Sequence, residues 1–338
     1  MKHSRIGALH PAWAAVLLVL PILLGLAALC IGRIWYPLPD IWQALTARFT
    51  GAEADKQMDI IIWNIRMPRV LLAMLVGAGL SVAGCAFQSL FANPLATPDT
   101  LGVASGTSFG AALALLLGMN LLGVQATAFA FGILAVALTW LSAAGKGRGL
   151  GSVVLGGIMI GSLFSSLVSL VKFIADTETQ LPAITYWLMG SLSGADFSSL
   201  KWGAPCILAG ILILFLLRWQ LNILPLGEDE AKSLGSNITL LRGVTIICAT
   251  AVTASSVAMC GQVGWVGLLI PHICRMLFGN NHRALIPASV SLGASFLVIV
   301  DTMARSISAA EIPISVLTAI IGAPFFIILM RRSRGWQL

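Results

Sequence analysis

Charge is what this sequence lacks most. Only 10% of its 338 residues are charged, against about 25% in an ordinary soluble domain. Twenty basic and thirteen acidic side chains cannot cover the water-facing surface of a globule this size, so a soluble enzyme is excluded. Disorder is excluded too, because it needs low hydrophobicity. No GxxxxGK[S/T] occurs: Ala143-Ala144-Gly145-Lys146-Gly147 lacks both the upstream glycine and the hydroxyl residue that would hold magnesium. There is no HExxH, and the four histidines (His3, His10, His272, His282) are dispersed. The six cysteines form no CxxC pair and sit almost entirely in apolar stretches, where a thiol behaves as a small buried hydrophobe. Gly102-Val103-Ala104-Ser105-Gly106, taken with His272, does not match a nucleophile elbow.

What is present is apolar surface. Hydrophobic residues make up 58% of the chain, against about 45–50% in soluble domains, and the mean hydropathy is +0.95. This composition predicts an all-α integral membrane protein, one polytopic domain over residues 1–338. Apolar runs fall at 12–31, 70–91, 101–118, 121–143, 152–174, 203–219, 241–262, 264–278, 285–303 and 312–330. At roughly 20 residues per span, that gives about ten transmembrane helices, an even number, with both termini on one side. The basic start Met1–Arg5 precedes a run long enough to span, so it reads as a first helix rather than a cleaved signal. Alternating the sides gives the cytoplasm most of the basic residues, including Lys146, Arg148, Arg218 and the tail Arg331, Arg332 and Arg334. The net charge of +7 is therefore topogenic, and no aromatic-interleaved basic run suggests nucleic acid.

Glycines recur inside the runs, at Gly77, Gly79 and Gly84, at Gly102, Gly106 and Gly110, and at Gly156, Gly157 and Gly161. Bilayer helices associate through close backbone approach, so these mark tight helix contacts. Three polar segments stand apart: external connections at 32–66 and 175–202, and a cytoplasmic stretch over 226–240 with the acidic triplet Glu228-Asp229-Glu230. The cytoplasmic stretch reads either as a docking helix or as a plain polar loop. Lys172, Asp301 and Arg275 are ionisable residues near predicted span ends, where snorkelling to the interface suffices. No carboxylate deep in a span is evident, which counts against ion-driven transport.

Several motifs in order carry a family likeness. They are Arg66-Met67-Pro68-Arg69-Val70-Leu71-Leu72-Ala73, Gly77-Ala78-Gly79-Leu80, Gln88-Ser89-Leu90, Asn93-Pro94-Leu95-Ala96-Thr97-Pro98 and Leu101-Gly102-Val103. Further along come Tyr186-Trp187-Leu188-Met189-Gly190-Ser191, Leu226-Gly227-Glu228, Gly264-Trp265 through Arg275, Ala310-Glu311-Ile312-Pro313 and Ile321-Gly322-Ala323-Pro324. Over roughly residues 60–332 the chain resembles the FecCD-type permeases, the membrane subunits of type II ABC importers for iron-siderophores, haem and cobalamin.

That resemblance implies a ten-helix subunit in a homodimer, or in a pseudo-dimer with a paralogue. It implies two separate ATPase chains that bind ATP and magnesium, a substrate-binding protein outside, and no cofactor in this chain. By the same likeness Arg66, Arg69 and Arg305 dock the binding protein. Asn93 and Leu95 form a cytoplasmic gate. The family's second gate element has small hydroxyl residues where this chain has Leu150-Gly151-Ser152; Leu150 and Gly151 are its counterparts here. Leu226, Gly227, Glu228, Asp229 and Glu230 belong to the coupling helices over 226–240 that seat on the ATPase. The expected protein is an ABC importer permease moving an iron chelate across a bacterial cytoplasmic membrane, without catalysis of its own. Haem, cobalamin or an oxyanion such as molybdate are alternative cargoes. The readings from other classes are an ion-coupled secondary carrier and an intramembrane enzyme.

Overall fold

The computed structural model describes residues 9–50, 55–143, 150–226, 228–308 and 310–332. Among the described residues there is no β-strand. In chain order the helices are α1 (Pro11–Cys30), α2 (Leu38–Thr50), α3 (Lys56–Ile60), α4 (Met67–Leu90), α5 (Val103–Leu116), α6 (Leu121–Ser142) and α7 (Leu150–Ile174). They continue as α8 (Gln180–Leu188), α9 (Phe197–Leu216), α10 (Glu228–Ser233), α11 (Ile238–Cys260), α12 (Val266–Phe278), α13 (His282–Ile307) and α14 (Ile314–Arg332). The ten apolar runs coincide with α1, α4, α5, α6, α7, α9, α11, α12, α13 and α14. Among the described residues, seven helical stretches are long and apolar enough to cross a membrane.

α5 and α12 are shorter than a span requires. Their 14 and 13 residues rise about 20 Å at 1.5 Å per residue, against a hydrocarbon core of about 30 Å. Non-helical backbone supplies the rest, tolerated at that depth only when protein encloses it. Before α5 lie the 3₁₀ turn Pro98–Leu101 and Gly102 at φ 76°. Before α12 the chain runs through Gly261 to Trp265, whose φ of 69° is a left-handed conformation a tryptophan adopts only under constraint. The second break is knitted to its neighbours: the Ser191 amide donates to the Cys260 carbonyl at 2.8 Å and the Ile314 amide to the Gly190 carbonyl at 3.0 Å.

α4 is the central mast. It is buried on nearly every side together with α11 and α13, while α1, α7 and α9 turn broad apolar faces outward. Glycine makes this possible. A Cβ on Gly84 would collide with the Gly267 carbonyl of α12, and one on Gly77 with the Gly293 carbonyl of α13. Gly106 and Gly110 do the same for α5 against α6, at the carbonyls of Phe131 and Thr127. The glycines read from sequence as contact marks are contacts.

The expected outer connection 32–66 is helical in large part. Ile41 and Ala44 of α2 face inward, Trp42 faces outward, and the Trp63 indole donates to the Ala44 carbonyl at 3.2 Å. α3 runs into α4 through a π-helical turn, Ile61–Arg66. Pro68 has no N–H for the Asn64 carbonyl, and the wide turn just ahead of it lets the Met67 amide reach Ile62 instead. Between α7 and α9, Asp176 accepts from the Thr179 hydroxyl and amide, and Asp196 accepts from the Ser199 amide as the α9 N-cap. These bonds hold both carboxyls below the usual carboxylate range.

Gly84→Val adds three carbons where α4 and α12 already touch backbone to backbone. Thermal unfolding of the purified protein in detergent should show a lower midpoint for Gly84→Val, while Gly151→Val, at a glycine with open space around it, should leave it unchanged.

Candidate functional site

Three arginines and two carboxylates gather at one end of the bundle. Arg66, Arg69 and Arg305 are 5%, 6% and 6% exposed, so their guanidiniums point inward rather than standing on a free surface. The π-helical turn delivers Arg66 to the C-terminus of α1, where it donates to the carbonyls of Leu29 and Cys30 and to that of Ile34 beyond. Its guanidinium also lies 5.1 Å from the Tyr36 ring centroid. Arg305 donates to the Ala28 carbonyl. Two arginines thus satisfy the orphan carbonyls and the negative dipole end of α1.

Arg69 does something different. Its Nε lies 2.9 Å from Asp301 Oδ1, and its two terminal nitrogens donate to the Glu311 oxygens at 2.9 and 3.0 Å. One fork therefore clasps α13 and the segment leading into α14 onto α4, the bidentate geometry in which such pairs are strongest. Arg305 Nε sits 3.7 Å from Asp301 Oδ2. Asp301, expected to snorkel, is instead 1% exposed between two arginines; its neutralisation is internal. Arg275, at the opposite end of the bundle, also turns inward, donating to Gln88 Oε1.

At the other end, the Asn93 turn follows α4. The Asn93 amide donates to the Gln88 carbonyl at 3.0 Å, and its Oδ1 accepts from the Leu95 amide at 2.9 Å. This closes an asparagine turn that leaves Leu95 56% exposed. Leu150 opens α7 half-buried, and Gly151 beside it is exposed. The two elements meet further along α7, where a Cβ on Gly157 would strike the Thr100 carbonyl. In the 226–240 segment, Leu226 and Glu230 are exposed. Gly227 and the side chains of Glu228 and Asp229 lie outside the described residues. α10 holds to the bundle by Ala231, which packs with Ile223 and Ile238 in a small core of its own.

A further network lies at this end. His282 opens α13 and is 5% exposed. Its Nδ1 lies 2.9 Å from Asn222 Oδ1, which also accepts from the His282 amide at 3.0 Å, and its Nε2 pairs with Ser89 Oγ of α4. Asn222 adjoins Ile223, which anchors α10, and Ser89 lies one turn before Asn93. His282 thus joins the α10 segment to the Asn93 turn. Gln88-Ser89 was visible as a motif, yet nothing in the sequence ties it to a histidine so far along the chain. Ser105 meets Ser165 at 3.4 Å, and His272 packs edge-on to Phe326 of α14.

Removing Arg69 alone strands the half-buried Glu311 carboxylate and leaves buried Asp301 with Arg305 alone, a loss of about 3 kcal/mol. Arg69→Met should therefore lower the unfolding midpoint sharply, and the triple variant Arg69→Met, Asp301→Asn, Glu311→Gln should recover most of it. Equal midpoints for the single variant and the native protein would show that the clasp contributes nothing.

Comparison with known proteins places this architecture. The model of the FecCD transport family matches residues 18–332. The molybdate import system permease MolB of Haemophilus influenzae is 42% identical over 321 residues, 94% of this chain and 95% of that protein. An iron chelatin transport permease of Helicobacter pylori is 36% identical over 331 residues, 96% and 98% of the two chains. The vitamin B12 import permease BtuC of Klebsiella pneumoniae is 36% identical over 326 residues, 96% and 94%. Among solved structures, an inward-facing metal-chelate type ABC transporter superposes with a TM-score of 0.86 at 39% identity, covering 96% of this chain and all of that one. The chain belongs to the FecCD transport family and is a permease of the ABC importer type.

Proposed function

We propose that two copies of this chain form the membrane channel of an ATP-driven importer of a metal chelate, with an iron chelate as cargo. The observation that carries this reading is α10, a short helix anchored beneath a ten-helix bundle and tied through Asn222 and His282 to the turn ending α4. Such an element suits a chain whose motor is elsewhere. Glu228, Asp229 and Glu230 make it acidic, so the complementary groove on the ATPase is basic. ATP and magnesium belong to that partner, and this chain carries no cofactor. In this reading the α10 end and both termini face the cytoplasm of a bacterium. A substrate-binding protein docks at the opposite end, over Arg66, Arg69 and Arg305. These three carry one more charge than Asp301 and Glu311 neutralise, and the excess attracts carboxylates on the partner. Glu311, the partly exposed member, is the group such a carboxylate would displace from Arg69. Leu95 and Leu150 close the path by excluding water. Closure of the ATPases moves α10 and rocks the bundle between outward and inward access. A second reading, an oxyanion cargo, is favoured by the 42% identity to a molybdate permease.

Proteoliposomes holding the permease, its ATPases and its binding protein should take up a radiolabelled ferric chelate only with ATP inside the reach of the ATPases. Uptake without the ATPases that follows an ion gradient would overturn the importer reading, and uptake of molybdate in place of the chelate would select the oxyanion. In the same vesicles, His282→Ala should leave the complex assembled but lower transport per ATP hydrolysed about fivefold or more, the size of a typical coupling free energy. An unchanged ratio would remove His282 from the coupling route.

A further inference from the structure

Asp99 belongs to neither polar network. Asp99 lies in the 3₁₀ turn before α5, which packs on α7 at Thr100 and Leu101, and the residue is exposed. It lines a cavity of about 40 Å³ together with Leu80 of α4, Thr253 of α11, Thr97, Gln262, Gly264 and Trp265. That is room for a water molecule or a bare ion.

The depth of this cavity is fixed by its walls. The backbone at Thr100 and Leu101 packs on Gly157, about 10 Å along α7 from Leu150 at 1.5 Å per residue. Leu80 is about 15 Å from the end of α4, and Thr253 about 22 Å from the start of α11. Asp99 therefore sits well inside the bilayer. A carboxylate open at that depth cannot face lipid; it faces a water-filled passage or a partner. It is the deep carboxylate that the sequence did not reveal, because Asp99 falls in the break between two apolar runs.

The rest of the lining is uncharged and includes oxygen acceptors. The Thr97 hydroxyl, the Gln262 amide oxygen and the Thr253 hydroxyl, whose own proton goes to the Ala249 carbonyl at 2.8 Å, offer oxygen lone pairs. Trp265 completes the wall, its ring packed against Gly322 of α14. Trp265 holds its φ of 69° at this wall, and strain of this kind persists where the surroundings impose it. Among the described residues the lining includes no basic side chain. The Ala104 amide at the start of α5 also faces Asp99, which steadies the carboxylate without neutralising it.

We propose that Asp99, with Thr97, Gln262, Thr253 and Trp265, forms a cation-accepting site inside the permease that favours positively charged groups over oxyanions. The occupant is either a cationic group of the cargo or a free alkali ion. The inference builds on the reading of the chain as a permease and narrows its cargo against a bare oxyanion.

The test measures the potential in the cavity directly. The full-length protein carrying Thr97→Cys is treated in detergent with a cationic and an anionic methanethiosulfonate of equal size, with the native chain as blank for its own cysteines. After correction for the reagents' rates on a free thiol, the cationic reagent should react about tenfold faster, as a nearby carboxylate dictates. The ratio should fall towards one in Thr97→Cys, Asp99→Asn, where asparagine keeps the shape and the capping ability. A ratio near one with Asp99 present, or one unchanged by Asp99→Asn, overturns the site. So does a Thr97→Cys thiol inert to both reagents, if Leu95→Cys on the exposed turn reacts normally. A lower ratio in sodium than in choline at equal ionic strength supports an alkali ion as occupant, and equal ratios support a cargo group. The assay needs neither ATPase nor cargo, so its failure would leave the importer reading standing, and failure of ATP-driven uptake would not touch it.

Discussion

Everything in this fold hangs on how closely α4 can be approached. At Gly84 the α12 backbone and at Gly77 the α13 backbone come so near that a single methyl would not fit. In a bilayer, apolar side chains gain little by leaving lipid for protein, so contact of this kind supplies what the hydrophobic effect supplies in water. The close approach brings α12 and α13 against α4, and with them His282, Arg275, Asp301 and Arg305. The polar groups at both ends meet because glycine cleared the middle.

The two polar networks solve different problems. At the arginine end, a helix terminus and two carboxylates must be satisfied away from water, and three guanidiniums do both. Arg66 and Arg305 address carbonyls, and Arg69 addresses carboxylates. At the α10 end the His282 network joins an imidazole, an amide and a hydroxyl, with Arg275 bonded to Gln88 beside it. The charged clasp is strong and oriented, suited to holding a surface in shape. Neutral hydrogen bonds exchange partners at lower cost, which suits a junction that has to move.

Much of this was legible beforehand. Hydropathy located the ten runs, and the glycine pattern marked true contacts, because both depend on composition within a segment. Motif order gave the family. What composition could not give was partnership across sequence distance. Arg69 and Asp301 are far apart in the chain, so nothing local says that one neutralises the other, and Asp301 read as a residue near a span end. Burial of Arg66 and Arg305 was hidden for a related reason: a basic residue at a span end looks exposed until the helix terminus it caps is in place. Asp99 was passed over because a break between runs reads as a surface loop, whereas here the break is folded into the bundle.

The π-helical turn at Ile61–Arg66 has one more effect. A turn of this kind holds about one residue more than its α-helical counterpart, so it acts as a phase shift of roughly 100° between what comes before it and what comes after. Trp63, Arg66 and Arg69, which an unbroken helix would set at successive steps of about 60°, serve α2, α1 and α13 in turn. The extra residue is thus a piece of addressing. A lineage that lost it would keep a continuous, equally apolar helix by every measure of composition, yet deliver each of these side chains to the wrong neighbour.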